Sequence, residues 1–298
     1  MRAVPRLVIC ADDYAISEQT SCVILRLLAE RKINATSCLV EGGSWKEMAE
    51  PLKRLQDSEP DIAVGLHLNL TDPLPHCAFP GIVQPWPVVA MRSKLMFHSH
   101  YFKMILSSFR AQWAAFIERF RRPPDFIDGH MHVHLLPVPR RALFELIWEV
   151  NFAGWVRQCR TTSNRTNLKR LLLDPLSDQL GLAATAAGIR PNPGFGGLRR
   201  FDLREDVLDI WRVDIGAMRS GGVLMVHPGD AVTKESASAI EACRMQEARA
   251  LGGNAIRTIL DDLGFAFDLS AQTPWKFKAP DFVEDTLKCD MNEQDHFF

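Results

Sequence analysis

Four widely separated places in this 298-residue chain end an apolar run in side chains that can bind a cation or move a proton. They are Asp12-Asp13, His67, the stretch from Asp128 to His134, and His227. One carboxylate joined by two imidazoles is a mixed oxygen and nitrogen donor set, suited to a divalent cation that keeps open positions for water and a substrate. Hydrolysis at such a site needs a Lewis acid, a base that takes a proton from water, an acid for the leaving nitrogen, and donors for the developing oxyanion. Asp12, beside a ligating Asp13, is the candidate base, and His227 is the candidate acid.

Taken singly, each of these residues has a plainer reading. A paired Asp after a strand is also a good helix N-cap, because its carboxylate favours the positive end of the helix. A lone His67 in an apolar segment is more often a hydrogen-bonded core residue. His130, His132 and His134 alternate, so on a strand they share one face, and no more than one or two of them are needed as ligands. His98 and His100 stand where the sequence turns helical and read as solvent-exposed. Convergence decides between the readings, since parallel strands present their C-terminal ends on one face of a barrel or doubly wound sheet.

The elements that would bring about that convergence can be read from periodicity. Residues 6–11 form a β-branched run that ends at the Asp pair, as a buried parallel strand does. Ser17 and Glu18 open an amphipathic helix that continues to about Arg31; residues 35–40 are the next strand, and a helix around Trp45 to Leu55 leads to a third strand that ends at His67 and Asn69. A proline-rich loop follows from Thr71 to Pro87, then a helix from about Lys94 to Arg121 and a strand from Phe126 that runs into the histidines. Residues 157–204 carry no placeable motif beyond a helix at 168–187. The apolar run from Gly221 ends at His227 and is followed by a helix from about Lys234 to Leu251, and the polar end DMNEQDHFF reads as a frayed tail.

Composition narrows the class. A 47% hydrophobic and 24% charged content is that of an ordinary globular chain, and a formal net charge of -1 offers nothing global to nucleic acid or an anionic membrane. The apolar run at residues 7–11 is too short for an export signal, and no stretch is long and apolar enough to span a bilayer. Seven scattered cysteines without a CxxC pair suit a reducing compartment, so a cytoplasmic location is expected. A homodimer is the commonest assembly for such a chain.

Four motifs, in order, resemble the YdjC-like carbohydrate deacetylases, the family that includes chitooligosaccharide and hopanoid-associated deacetylases. They are Cys10-Ala-Asp-Asp-Tyr14, Gly65-Leu-His-Leu-Asn-Leu-Thr71, Asp128-Gly-His-Met-His-Val-His134 and Val226-His-Pro-Gly229. The resemblance implies an α/β fold, a distorted TIM-like (β/α) barrel with mostly parallel strands in a single domain, here residues 1–288 with 289–298 as tail. It also implies one divalent metal ion, Mg2+ in the family with Zn2+ as the alternative, held by Asp13, His67 and His130, with Asp12 as the base. Two departures stand out: Ala15 replaces a glycine after the Asp-Asp-Tyr, where Ala disfavours positive φ, and the loop from Arg190 to Phe201 has no counterpart. Arg157 and His132 are further candidates for substrate contact, although a solvated arginine is the plainer reading of Arg157.

The expected activity is removal of an N-acetyl group from an acetylated sugar, in a small glycan or a glycolipid, by attack of metal-bound water. The alternatives are a metal-dependent hydrolase of another amide or ester, a catalytically silent sugar-binding protein of the same fold, and a two-metal phosphoesterase that recruits Asp128 and His132.

Overall fold

Strands and helices alternate along the chain, as the shifting hydrophobic period predicts. The computed structural model describes residues 4–71, 101–165, 168–231 and 238–267. Its first part runs β1 (Arg6–Tyr14), α1 (Glu18–Ala29), β2 (Ala35–Cys38), α2 (Gly43–Ser58) and β3 (Ala63–Leu68). Next come α3 (Tyr101–Phe120), β4 (Phe126–Gly129), α4 (Pro137–Glu149), β5 (Trp155–Val156) and α5 (Leu168–Ala186). The last part holds β6 (Phe195–Gly196), α6 (Val207–Gly216), β7 (Gly222–Val226), α7 (Ala239–Gly252), α8 (Ala255–Leu263) and β8 (Ala266–Phe267).

All eight strands join one parallel sheet in the order β5-β4-β3-β2-β1-β7-β6, with β8 pairing the start of β1. Its two ends meet. Val156 bridges Pro191 and Thr161 bridges Phe195, both in parallel, and Asn192 exchanges side-chain hydrogen bonds with the backbone of Gln158. The sheet therefore curls into the distorted, mostly parallel barrel expected from the sequence, with helices packed outside it. β1 lies inside the sheet between β2 and β7, and Leu7 to Tyr14 are buried without a break, as a strand covered on both faces must be.

Local chemistry explains where the helices begin. The Ser17 side chain accepts from the Thr20 N–H, Asp206 caps α6, and Ser238 with Glu241 forms a capping box at α7. On the outside of β2 and β3, Trp45 of α2 stacks on Phe116 and Phe120 of α3 at centroid distances of 5.7 Å. Phe126 stacks on Trp155 at 4.3 Å, and it lies so close to β3 that only glycine fits at position 65.

Two expectations are corrected. β1 does not stop at Ala11 but runs through the Asp pair to Tyr14. The histidines at 130–134 do not extend β4; His130–Leu135 is a tight 3-10 turn in which Met131 and His132 take left-handed φ values of 52° and 58°. The alternation of histidines therefore does not place them on one face. The proline-rich loop, His98, His100 and the 289–298 tail lie outside the described residues.

Gly197 follows β6 with φ +90°, and a Cβ there would stand 1.9 Å from the Met225 carbonyl oxygen of β7. Neither backbone can yield without breaking the β6–β7 pairing. Gly197→Ala is therefore expected to lower stability by about 2 kcal/mol or more, read as the shift of a denaturant midpoint; an unchanged midpoint would contradict this packing.

Candidate functional site

Consecutive residues of a regular strand point to opposite faces, so one strand cannot normally bring two neighbouring carboxylates to one site. Between Ala11 and Tyr14 β1 advances three residues while β2 advances two, from Thr36 to Cys38. The extra residue is a bulge at the Asp pair. Asp13 takes φ 67°, a left-handed conformation that Asp tolerates better than most residues, and Ala15 follows with φ 69°. The position where the family pattern has glycine thus does adopt positive φ.

Asp13 is the meeting point. Its Oδ1 lies 2.8 Å from His130 Nδ1 and 3.3 Å from His67 Nε2, and its Oδ2 accepts a hydrogen bond from Arg244 Nη2. His67 is held from behind: its Nδ1 is 2.7 Å from Asp128 Oδ1 and 3.1 Å from Ser37 Oγ, and Ser37 also donates to Asp128. A donating Nδ1–H leaves Nε2 aimed at Asp13, the arrangement that carboxylates impose on metal-ligating histidines. Asp13 Oδ1, His67 Nε2 and His130 Nδ1 fit a single cation in number, type and proximity, the three residues placing one ligand atom each within 4.8 Å of one another.

Asp12 faces a different neighbour. Its two oxygens accept from Arg157 Nη1 and Nη2 at 2.6 and 2.7 Å, and the same Nη2 lies 2.7 Å from Asp128 Oδ2. Arg157 is 1% exposed. It is not solvated, as the plainer sequence reading had it; it clamps the candidate base. Asp12, His67 and Asp128 form a second group able in principle to hold a cation, but the Arg157 guanidinium fills that place. This arrangement opposes a two-metal phosphoesterase.

The electrostatics follow from these contacts. Burial alone would keep Asp13 protonated, but His130 and Arg244 hold its carboxyl well below the usual carboxylate range. Asp128 is likewise lowered, against burial, by Arg157 and His67. Burial disfavours a charge on His67, yet Asp128 lifts it to about 10. Three carboxylates face two guanidinium groups, and the protonated His67 meets the remaining negative charge; a cation bound there would take the place of that proton.

Of the remaining histidines, His134 is fully buried and its Nε2–H donates to the Arg157 carbonyl 2.8 Å away. Burial brings it down to about 4. His132 turns toward Cys159 Sγ at 3.5 Å and the edge of Phe195. His227 ends β7, with its ring edge-on to Phe201 at 5.0 Å and its N–H donating to Glu247 Oε2. Burial lowers it to about 4, against the pull of Asp13 and Asp12, so it rests neutral, and its buried Nδ1 has no hydrogen-bond partner among the described residues.

Sequence reasoning missed Arg244 and Glu247. Both lie on α7 and are buried, and they reach Asp13 and His227 respectively. Charged residues three apart on a helix read as a solvated face. The available signal was the absence of a clean apolar stripe on α7, which leaves no other face to bury.

Comparison with known proteins places this site in context. The signature of the family described as YdjC-like protein matches residues 6–262. Among solved structures, the "putative cellobiose-phosphate cleavage protein" of Enterococcus faecalis is similar at 17% identity with a TM-score of 0.63, over 89% of this chain and 97% of that one. That likeness concerns the fold. The polysaccharide deacetylase Bc1974 of Bacillus cereus matches at 14% identity and TM-score 0.43, over 89% of this chain and 91% of that one. A Streptococcus mutans CE4 esterase matches at 13% and 0.44, over 89% and 85%.

Removing Arg157 would strand two buried carboxylates. Arg157→Met is expected to cost about 3–5 kcal/mol at neutral pH, a loss reduced when Asp128→Asn is added. The deficit should shrink as pH falls into the carboxylate range, because Asp128, which Arg157 keeps ionised, can then be buried neutral. Denaturant midpoints across pH measure both effects, and a pH-independent deficit would show that the clamp acts through packing alone.

Proposed function

Because the chain belongs to the YdjC-like protein family, we propose that it is a carbohydrate deacetylase, a hydrolase that removes an N-acetyl group from a sugar in a chitooligosaccharide-like glycan or a glycolipid, with one divalent cation. The observation that carries the reading is the division of labour between two adjacent carboxylates. Asp13 lies against two imidazoles, while both oxygens of Asp12 are taken by Arg157. A binding protein has no need for a second buried carboxylate held ready beside the first.

A cation at Asp13, His67 and His130 would polarise the acyl carbonyl and make nearby water more acidic. The residues supply the rest. Arg157 fixes the orientation of Asp12 and keeps a compensating positive charge beside it, so Asp12 can take the proton from attacking water. His227 protonates the departing nitrogen. Resting neutral, it must first take up a proton, and Asp12, whose charge it feels, is the nearby source. Arg244 neutralises the outer oxygen of Asp13, so this carboxylate presents Oδ1 alone to the two imidazoles.

The identity of the ion is part of the proposal. Family resemblance points to Mg2+, while two imidazole nitrogens in a set of three donors pull toward Zn2+. Five described cysteines are free, four of them buried, which agrees with a reducing compartment. No helix among the described residues is long and apolar enough to cross a membrane.

Purified protein is expected to release acetate from N,N'-diacetylchitobiose or longer chitooligosaccharides, to lose that activity on chelation and regain it with one of the two cations. Asp12→Asn should lower kcat by about 100-fold or more. Acetate release that survives chelation would overturn the metal-dependent reading.

Adding the correct cation to chelated protein should also raise Tm by mass action, since the folded site alone gathers the three ligands. His67→Ala should abolish that rise. A rise that persists in the variant would place the cation elsewhere.

A further inference from the structure

Beyond the end of β2, Glu41 is 7% exposed, and neither of its carboxylate oxygens completes a hydrogen bond among the described residues. The Asn69 side chain is its polar neighbour without full hydrogen-bond geometry, and a buried carboxyl met by so little costs stability. Burial pushes it up to about 8, with the Asn69 side chain the neighbour that favours its charged form. It takes no part in the chemistry proposed above.

The sheet register says where it stands. β2 pairs with β3 so that Ser37 faces Gly65 and Cys38 faces Leu66; just past these strands the side chains of Glu41 and Asn69 are neighbours. Side chains at 37, 39 and 41, and at 67 and 69, fall on matching faces. Ser37 and His67 point into the site, where both reach Asp128. Glu41 and Asn69 therefore lie past the strand ends that carry Ser37 and His67, on the C-terminal side of the sheet.

Asn69 is held rigidly for such a role. Its N–H donates to Gln112 Oε1 and its carbonyl accepts from Gln112 Nε2, while its own Oδ1 accepts from the Thr71 N–H. This fixes the layer to α3. A ligand whose acyl group lies at Asp13, His67 and His130 and whose body runs outward past β2 and β3 would meet this layer.

We propose that Glu41 and Asn69 form a sugar-binding subsite, in which the Glu41 carboxyl takes hydrogen bonds from ring hydroxyls of the residue that carries the acetamide. The inference rests on the reading of the substrate as an acetylated sugar. It makes Glu41 a specificity residue: it selects a hydroxyl-bearing leaving amine and leaves the acyl chemistry to the layer below. A carboxyl that is protonated part of the time can both accept and donate, which suits a ring offering groups of both kinds.

The test is calorimetric titration of chelated protein with N,N'-diacetylchitobiose, which reports binding without turnover, for wild type, Glu41→Gln and Glu41→Leu. Thermal melts of all three and acetate release by metal-loaded wild type accompany it. Glu41→Leu is expected to weaken binding about tenfold or more and Glu41→Gln less than about threefold, because the amide keeps the hydrogen bonds. The melting temperature of Glu41→Leu should equal or exceed that of wild type, since an apolar side chain removes the cost of the orphaned carboxyl.

If Glu41→Leu binds the disaccharide as wild type does while wild type releases acetate, the subsite is refuted and the deacetylase reading stands. A Glu41→Leu protein that melts well below wild type overturns the subsite too, by making Glu41 structural. Wild type that neither binds the sugar nor releases acetate refutes both. Binding weakened by Glu41→Leu in a protein that releases no acetate supports the subsite and removes the deacetylase reading alone.

Discussion

Three carboxylates buried at one end of a parallel sheet can stay ionised only if positive charge is buried with them. Arg157 and Arg244 meet that constraint from opposite directions, one from the end of β5 and one from α7. Much of the architecture follows. Arg157 can lie under Asp12 and Asp128 because β5 pairs with β4 for two residues and then releases the chain inward, with the Arg157 N–H still bonded to the Ile127 carbonyl. Arg244 can reach Asp13 because α7 packs across the end of the barrel beside β1. Without both arginines the cluster would either protonate or admit water, and Asp12 and Asp13 would lose their distinct roles.

Those roles come from surroundings rather than from chemistry of their own. The two side chains are identical and adjacent. The bulge at residues 11–14 turns one toward a fixed guanidinium and the other toward two imidazoles. A guanidinium cannot give up its proton at any relevant pH, so it locks charge and orientation. Imidazoles can exchange a proton for a cation, so they leave Asp13 available for coordination. The backbone strain of two closely spaced left-handed non-glycine positions, Asp13 and Ala15, makes this difference possible.

How far this was legible depends on which residues carried the signal. Strands that end in polar groups announced themselves at Asp13, His67, Asp128 and His227, because a charge or an imidazole that stops a run of buried apolar residues must be met by a partner at the strand end. The bulge could not be read, since it depends on register against β2 and leaves no mark on composition. Nor could the turn at His130–Leu135, where alternating polarity imitates a strand although Met131 and His132 are left-handed. The stretch 157–204 resisted because β5 and β6 are two residues long each and the barrel closes there through single bridges and Asn192, too short a pattern for periodicity to register. Arg157 and Arg244 were misread or missed for one reason: a buried arginine looks like a surface arginine until its carboxylates are found.

The polar atoms that the fold leaves without hydrogen bonds extend the argument. Glu41, His227 Nδ1, Arg244 Nη1 and Arg199 Nε are buried and incomplete among the described residues. Scattered defects of packing would be expected to fall anywhere, including the helix-covered flanks. Trp211 Nε1 of α6 does fall on such a flank, while these four lie past the C-terminal ends of β2, β7 and β6 or on α7, which covers that end. A folded chain gains nothing from leaving such groups unpaired, and each costs stability unless something else completes it. At this end of the sheet the unmet groups are ones a bound molecule could complete: His227 Nδ1 beside a nitrogen, and the Glu41 carboxyl beside hydroxyls. On the proposed function, an acetylated amino sugar offers a nitrogen to His227 and hydroxyls to Glu41, and a simple ester offers neither.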